Sequence, residues 1–279
     1  MLPAASALEA TVEHHRPPIT ASLALVAVTS LAACENPVET VGTVRAPGEM
    51  QLATFPGDLT PDLGMAQIDD ITIRTVGGRR LLAFSTTIVN VGAGPFELHG
   101  RRSSTSEENM TVVIQRIFDA SGNWRDETTD AVMEYGGDGH DHWHVHDLQR
   151  MELIRLDNGV KVGTGAKRGF CFWDNAAYRL SLPGAPSSPV YGSDGCGDTS
   201  SLETETGLSV GWGDLYPFWL PDQNIDITGQ TAGRFRLIVT ADPLGWFTEA
   251  DESNNTTWVD LQVQANGKRV RVLGYGPEA

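Results

Sequence analysis

A chain of 279 residues is long enough for one large β domain or two modest ones. Its formal net charge of −16 argues against a nucleic-acid partner, because gripping a phosphate backbone calls for a basic face. An acidic surface favours cationic ligands such as amines or lysine-rich peptides, although acidity also serves plain solubility.

The chain opens on what reads as a targeting segment. Ile19 to Ala33 (ITASLALVAVTSLAA) is a mostly apolar run that ends in small side chains. That is the length of a signal-peptide apolar region and short of a membrane span. Leu31-Ala32-Ala33-Cys34 resembles a bacterial lipobox, and the resemblance implies that Cys34 becomes the lipidated first residue of the mature protein. On this reading residues 1–33 are a lipoprotein signal peptide, 34–50 a tether containing Pro37, Gly42 and Pro47, and 51–279 a folded domain. The protein is then exported and held to the cell envelope through lipid on Cys34, its only membrane contact. Setting Cys34 aside leaves Cys171 and Cys196, which in an oxidising compartment have only each other to pair with. Such a bridge closes a loop of about 25 residues, worth on the order of 3 kcal/mol in the chain-entropy picture.

From Leu52 onward the pattern is β. Ile71 to Val76 alternates, Gly77-Gly78 supplies a turn, and Leu81 to Val89 reads as the next strand. After the break at Asn90 to Pro95, Phe96-Glu97-Leu98 resumes, and Thr111 to Phe118 is a further strand before the turn at Ser121-Gly122. Arg150 to Leu156 alternates and Asn158-Gly159 signals a hairpin into Val160-Lys161-Val162. Asp174 to Glu205, rich in Ser, Gly, Pro and Asp, reads as a long surface loop held by the disulfide. Arg234 to Thr240 and Thr257 to Val263 close the domain as two strands. The expected fold is all-β, a β-sandwich with long irregular loops in a single domain.

Between these strands lies the run that organises the chain, Gly139-His140-Asp141-His142-Trp143-His144-Val145-His146-Asp147-Leu148, with four of the seven histidines. A strand sends alternate side chains to one face, so the four imidazoles line one side and Asp141, Trp143 and Val145 the other. Imidazole is the commonest metal-binding side chain and suits copper, zinc, iron and nickel. Three consecutive members span roughly 13 Å of backbone, which long side chains can bridge; all four span about 20 Å, so one of them falls outside the first shell. The chain has no HExxH, no clustered carboxylates beside the row and no histidine after His146, which argues against zincins, two-metal hydrolases and cupins unless His99 joins in.

The run GHDHWHVHDLQRMEL resembles the copper-binding segment of the lysyl oxidases, and four more segments resemble that family in the same order. LLAFSTTIVNVGAGPFEL (81–98) is similar to the strand and turn that precede the copper segment. Gly163 to Asp174 (GTGAKRGFCFWD) resembles the stretch with the family's cofactor lysine, and Gly207 to Thr228 (GLSVGWGDLYPFWLPDQNIDIT) the stretch with its cofactor tyrosine. AGRFRLIVTADPLGWFTEADESNN, ending at Asn255, is similar to the family's closing segment. The resemblance implies a copper ion on three histidines at alternate positions, either His140, His142 and His144 or His142, His144 and His146. Of these the first register is favoured, because Trp143 then falls where an aromatic is expected, with His146 an extra outside the first shell. It also implies that Lys167 and Tyr216 are the two halves of a lysine tyrosylquinone. A tyrosine oxidised to an ortho-quinone accepts a neutral lysine amine on its ring, and the product carries a carbonyl that reacts with primary amines. Lys167 must be desolvated or close to a positive charge, copper or Arg168, to be neutral enough to add.

The activity so implied is oxidative deamination of primary amines, peptidyl lysine or small amines, with O₂, to aldehyde, ammonia and hydrogen peroxide. A general base is required, and Asp214 and Asp226 are candidates on chemistry alone. Ordinary roles compete: an exposed lysine at 167, a loop aromatic packed on Trp219 at 216. A second reading is a non-catalytic surface β-sandwich that binds copper or zinc through the histidine strand. What separates the two is whether Lys167 and Tyr216 are covalently joined.

Overall fold

The structure, a computed structural model, describes residues 55–136, 141–165, 167, 169–265 and 267–279. The expected signal peptide and tether, and with them Cys34, lie outside these residues, as do His140 and Arg168. Among the described residues no helix is long and apolar enough to cross a membrane.

The fold is all-β, as the alternation implies, and its strands pair antiparallel in four sheets. The longest strand, Arg79–Asn90, binds Asp69–Val76 and Leu63–Met65, and also Trp212–Tyr216 and Asn224–Asp226. A second sheet runs Lys161–Thr164, Gln149–Arg155, Gly233–Ala241, Thr256–Val263, Val270–Tyr275. A third centres on Val112–Asp119 and Phe96–Arg101, and a small fourth holds Gly169–Phe170, Trp143–His146, Met133–Tyr135 and Asn109–Met110. One hydrophobic cluster joins them, with Phe84, Ile88, Phe96, Trp143, Phe170, Phe172, Tyr216 and Leu237 among its members. Trp143 and Val145 enter this core from the histidine strand, as their odd positions in the row require.

Local chemistry explains most of the expected elements. Gly77 and Gly78 have φ of 57° and 80°, the left-handed pair that a tight hairpin with matching twist demands. Gln149, Met151 and Leu153 are buried in alternation along their strand. Cys171 and Cys196 form the expected disulfide, with Cα atoms 5.8 Å apart.

Three expectations are corrected. The histidine strand is shorter than the row: Trp143–His146 is strand, whereas Asp141 and His142 form a bend. Its partner Met133–Tyr135 ends opposite Trp143; Gly136 still donates to the His142 carbonyl at 2.9 Å but turns left-handed, φ 72°, and the ladder goes no further. At the other end Asp147 turns left-handed, φ 53°, and closes the strand. The long loop also ends earlier than expected, because Glu203–Leu208 is a strand laid against Phe96–Arg101. Thr204 and Thr206 alternate inward there, a threonine pattern that composition reads as loop. Finally, a third closing strand, Val270–Tyr275, follows the two expected ones.

Candidate active site

The tyrosine comes from the strand Trp212–Tyr216, whose inner face carries Asp214 and Tyr216 while Leu215 points outward. Tyr216 is paired with Thr86 and Asp214 with Ile88 on the long strand, so all four face the core. Phe170 backs the tyrosine ring at 4.5 Å between centroids.

The lysine arrives on a separate segment. After Lys161–Thr164 the chain forms a bridge from Gly165 to Ile225, passes Lys167 and enters Gly169–Phe170, which pairs with the histidine strand. Lys167 is buried, and its Nζ stands 4.0 Å from the centroid of the Tyr216 ring and 4.9 Å from that of Phe170. Rings whose faces carry partial negative charge receive a desolvated ammonium well. From there the segment continues to Cys171, whose N–H donates to the Tyr216 hydroxyl at 3.2 Å.

Asp214 completes the group. It is fully buried; Oδ1 accepts a hydrogen bond from Asn175 Nδ2 at 2.7 Å, and among the described residues Oδ2 accepts none. Burial drives its carboxyl well above the usual range, against the opposing pull of the Lys167 charge and the Asn175 hydrogen bond. Asp226, the other candidate base, stands apart from this group. It is half-exposed, bound to Arg79 at 2.8 Å, and hydrogen bonds from Thr228 and that arginine hold its carboxyl down at about 2. A carboxylate so stabilised is a poor proton acceptor near neutrality. The two aspartates differ in environment, not in residue type.

On the histidine strand, His142 and His144 lie together, ring centroids 4.4 Å apart. His144 is buried, and its Nδ1 is 3.2 Å from the Gly136 carbonyl oxygen. A carbonyl can only accept, so Nδ1 carries a proton, and in the neutral ring Nε2 then holds the lone pair. That is the tautomer a metal-ligating imidazole adopts, oriented by a backbone oxygen. His146 Nε2 is instead 2.8 Å from the Glu134 carboxylate. Among the described residues no three of His, Cys, Asp and Glu are gathered tightly enough to hold a metal, and His140, in the favoured register, lies outside them. His99 stands on a different sheet, its Nε2 2.7 Å from Glu97.

Sequence reasoning missed three participants. Glu134 gave no signal because it reaches His146 across strands. Phe170 is one more aromatic in an apolar stretch. Asn175 sits where composition reads as loop, yet it holds Asp214.

The sequence profile described as Lysyl oxidase matches residues 128–274. The chain is 29% identical to lysyl oxidase homolog 3A of Danio rerio over 180 residues, covering 64% of this chain and 18% of that protein. It is 28% identical to lysyl oxidase homolog 3 of Homo sapiens over 179 residues, covering 64% and 18%. To lysyl oxidase homolog 2 of Xenopus tropicalis it is 27% identical over 187 residues, covering 67% and 19%. The chain thus spans less than a fifth of the length of these relatives.

Proposed function

The chain belongs to the lysyl oxidase family, and from that premise we propose that it oxidises primary amines using copper and a quinone built from its own Lys167 and Tyr216. When present, copper and quinone supply the oxidising capacity by which a primary amine, O₂ and water give aldehyde, ammonia and hydrogen peroxide.

The chain's own residues supply the rest. His142 and His144, with His140 as the third donor, would hold the metal; the fixed tautomer of His144 suits that task. His146, tied to Glu134, serves beside them as an outer support. The observation that carries the reading is the Lys167 Nζ over the face of the Tyr216 ring at 4.0 Å. An amine adds to a ring carbon from above the ring plane, so this pair stands on the approach that a lysine–tyrosine bond requires. Cys171 N–H fixes the tyrosine oxygen, which sets the ring orientation. Asp214 Oδ2 is the atom that receives protons, first from the Lys167 ammonium and later from the carbon next to the substrate nitrogen. Its raised affinity for protons makes it a stronger proton acceptor than an ordinary carboxylate.

Substrates follow from charge: primary amines, peptidyl lysine or small amines, drawn to a chain of net charge −16. The same reading has the protein exported and lipid-anchored through Cys34, on the apolar run and the lipobox-like Leu31 to Cys34.

The test is peptide mass spectrometry of protein loaded with copper and matured in air, beside a Lys167→Ala control. A single cross-linked species joining the Lys167 and Tyr216 peptides, heavier by inserted oxygen and lighter by lost hydrogen, is the expected result. Two unmodified peptides from protein that holds copper overturn the quinone and leave a metal-binding surface sandwich.

A further inference from the structure

The segment bearing Lys167 keeps hold of the tyrosine strand beyond the lysine; Ala176–Ala177 pair with Trp212–Gly213, and just before them one asparagine makes several contacts at once. Asn175 Nδ2 donates to Asp214 Oδ1 at 2.7 Å, and Asn175 Oδ1 accepts the Leu215 N–H at 2.6 Å. The Asn175 backbone N–H donates to the Gly213 carbonyl at 3.2 Å. Three consecutive residues of the strand are therefore held by one residue. Asn175 is itself anchored by its neighbour: the buried Asp174 carboxylate accepts from the N–H groups of Val190, Tyr191 and Ser209 and from the Ser209 hydroxyl.

An amide is the short side chain suited to this place. It donates to a carboxylate and accepts from a backbone N–H at the same time, which neither a carboxylate nor a hydroxyl does as well. A buried carboxylate with one oxygen tied and the other open has a defined proton-accepting atom, because the tied oxygen fixes the plane of the group.

We infer that Asn175 is a positioning residue for Asp214: it commits Oδ1 and the adjoining backbone, and so presents Oδ2 as the atom that takes up the proton. The inference deepens the reading of Asp214 as the base and rests on it. Asn175 donates to the charged form of the carboxylate, as the Lys167 charge favours it, while burial and the Asp174 charge oppose it. Tyr216, two places along the same strand, is the other titratable group on that face.

The experiment uses full-length protein without copper, before any cofactor exists, with ¹³C-labelled aspartate. Asp214 is assigned by its absence in Asp214→Asn, and its carboxyl resonance is followed against pH. Asn175→Ala is expected to raise the Asp214 midpoint by about one pH unit, through loss of one donor to the charged form. Asn175→Asp, which keeps the contact with Leu215 but sets a second carboxylate beside the first, is expected to raise it further. Asn175→Ser, which can still donate, is expected to bring it back toward the wild-type value. An unchanged midpoint in the alanine and aspartate variants overturns the inference. Should those variants not fold, the wild-type protein decides: the Asn175 side-chain amide protons are expected to shift with the Asp214 midpoint, and a flat response overturns the assignment. None of these readouts needs the quinone, so a wild-type protein that forms no cross-link counts against the proposed function alone.

Discussion

A methyl group placed on Gly169 would fall 2.6 Å from the Cβ of His144. The lysine segment and the histidine strand are therefore in backbone contact, with Gly169 paired to His146 and Phe170 to Val145. Metal-binding and quinone-forming candidates meet through this one antiparallel step, and it tolerates no side chain at the crossing.

Gly169→Ala is accordingly expected to push His144 and the lysine segment apart. Overpacking of this kind costs about 1–3 kcal/mol. A lower thermal midpoint should be accompanied by weaker copper binding in titration calorimetry; a wild-type affinity would mean that His144 has room to retreat.

His144 and His146 predict different losses of metal. His144→Ala removes a buried ligand candidate and should abolish stoichiometric copper in dialysed protein. His146→Ala and Glu134→Gln disturb an outer pair, for which a loss of about 10–100-fold in affinity is typical. Equal and complete loss in His146→Ala would instead put His146 among the ligands, and the register would be His142, His144 and His146.

Asp214→Asn keeps the shape of the side chain and removes the base. Amine turnover should fall by about 10²–10⁴-fold, the usual worth of a positioned proton acceptor. Stability should move the other way at neutral and higher pH. The folded state holds the Asp214 proton more tightly than the unfolded chain, whose carboxyl keeps its ordinary affinity. The wild type is thus relatively stabilised below the unfolded value and loses that contribution as pH rises toward the folded one. Denaturant unfolding of both proteins across pH should show Asp214→Asn missing this decline. Parallel curves would mean that the fold does not raise the proton affinity of Asp214.

Removing the bridge by the double change Cys171→Ser and Cys196→Ser opens a loop with a sequence separation of 25. A loss of about 3 kcal/mol is expected from chain entropy. The Cys171 N–H also holds the Tyr216 hydroxyl, so cross-link yield should drop as well as stability. Unfolding curves and peptide mass spectrometry on the same samples measure both.

Much of this protein is legible along the chain because strand physics is local. Alternation marks Met151 and Leu153 as one face, paired glycines at 77 and 78 mark a hairpin, and two cysteines in an oxidising compartment have one pairing to make. The period of two also puts His144 and His146 on one side, whereas His142, in a bend before the strand, meets His144 through the packed rings 4.4 Å apart. Alternation names residues that share a face; it does not say what that face meets. Asp214 and Asp226 both lie on strands beside the long strand, yet one is sealed in the core near Lys167 and the other rests on Arg79 at the surface. Glu134 meets His146, and Asn175 meets Asp214, only because separate segments are brought side by side by pairing and by the bridge at Cys171. Burial and cross-strand neighbours set the protonation and orientation of those groups, and both are properties of packed segments rather than of any one of them.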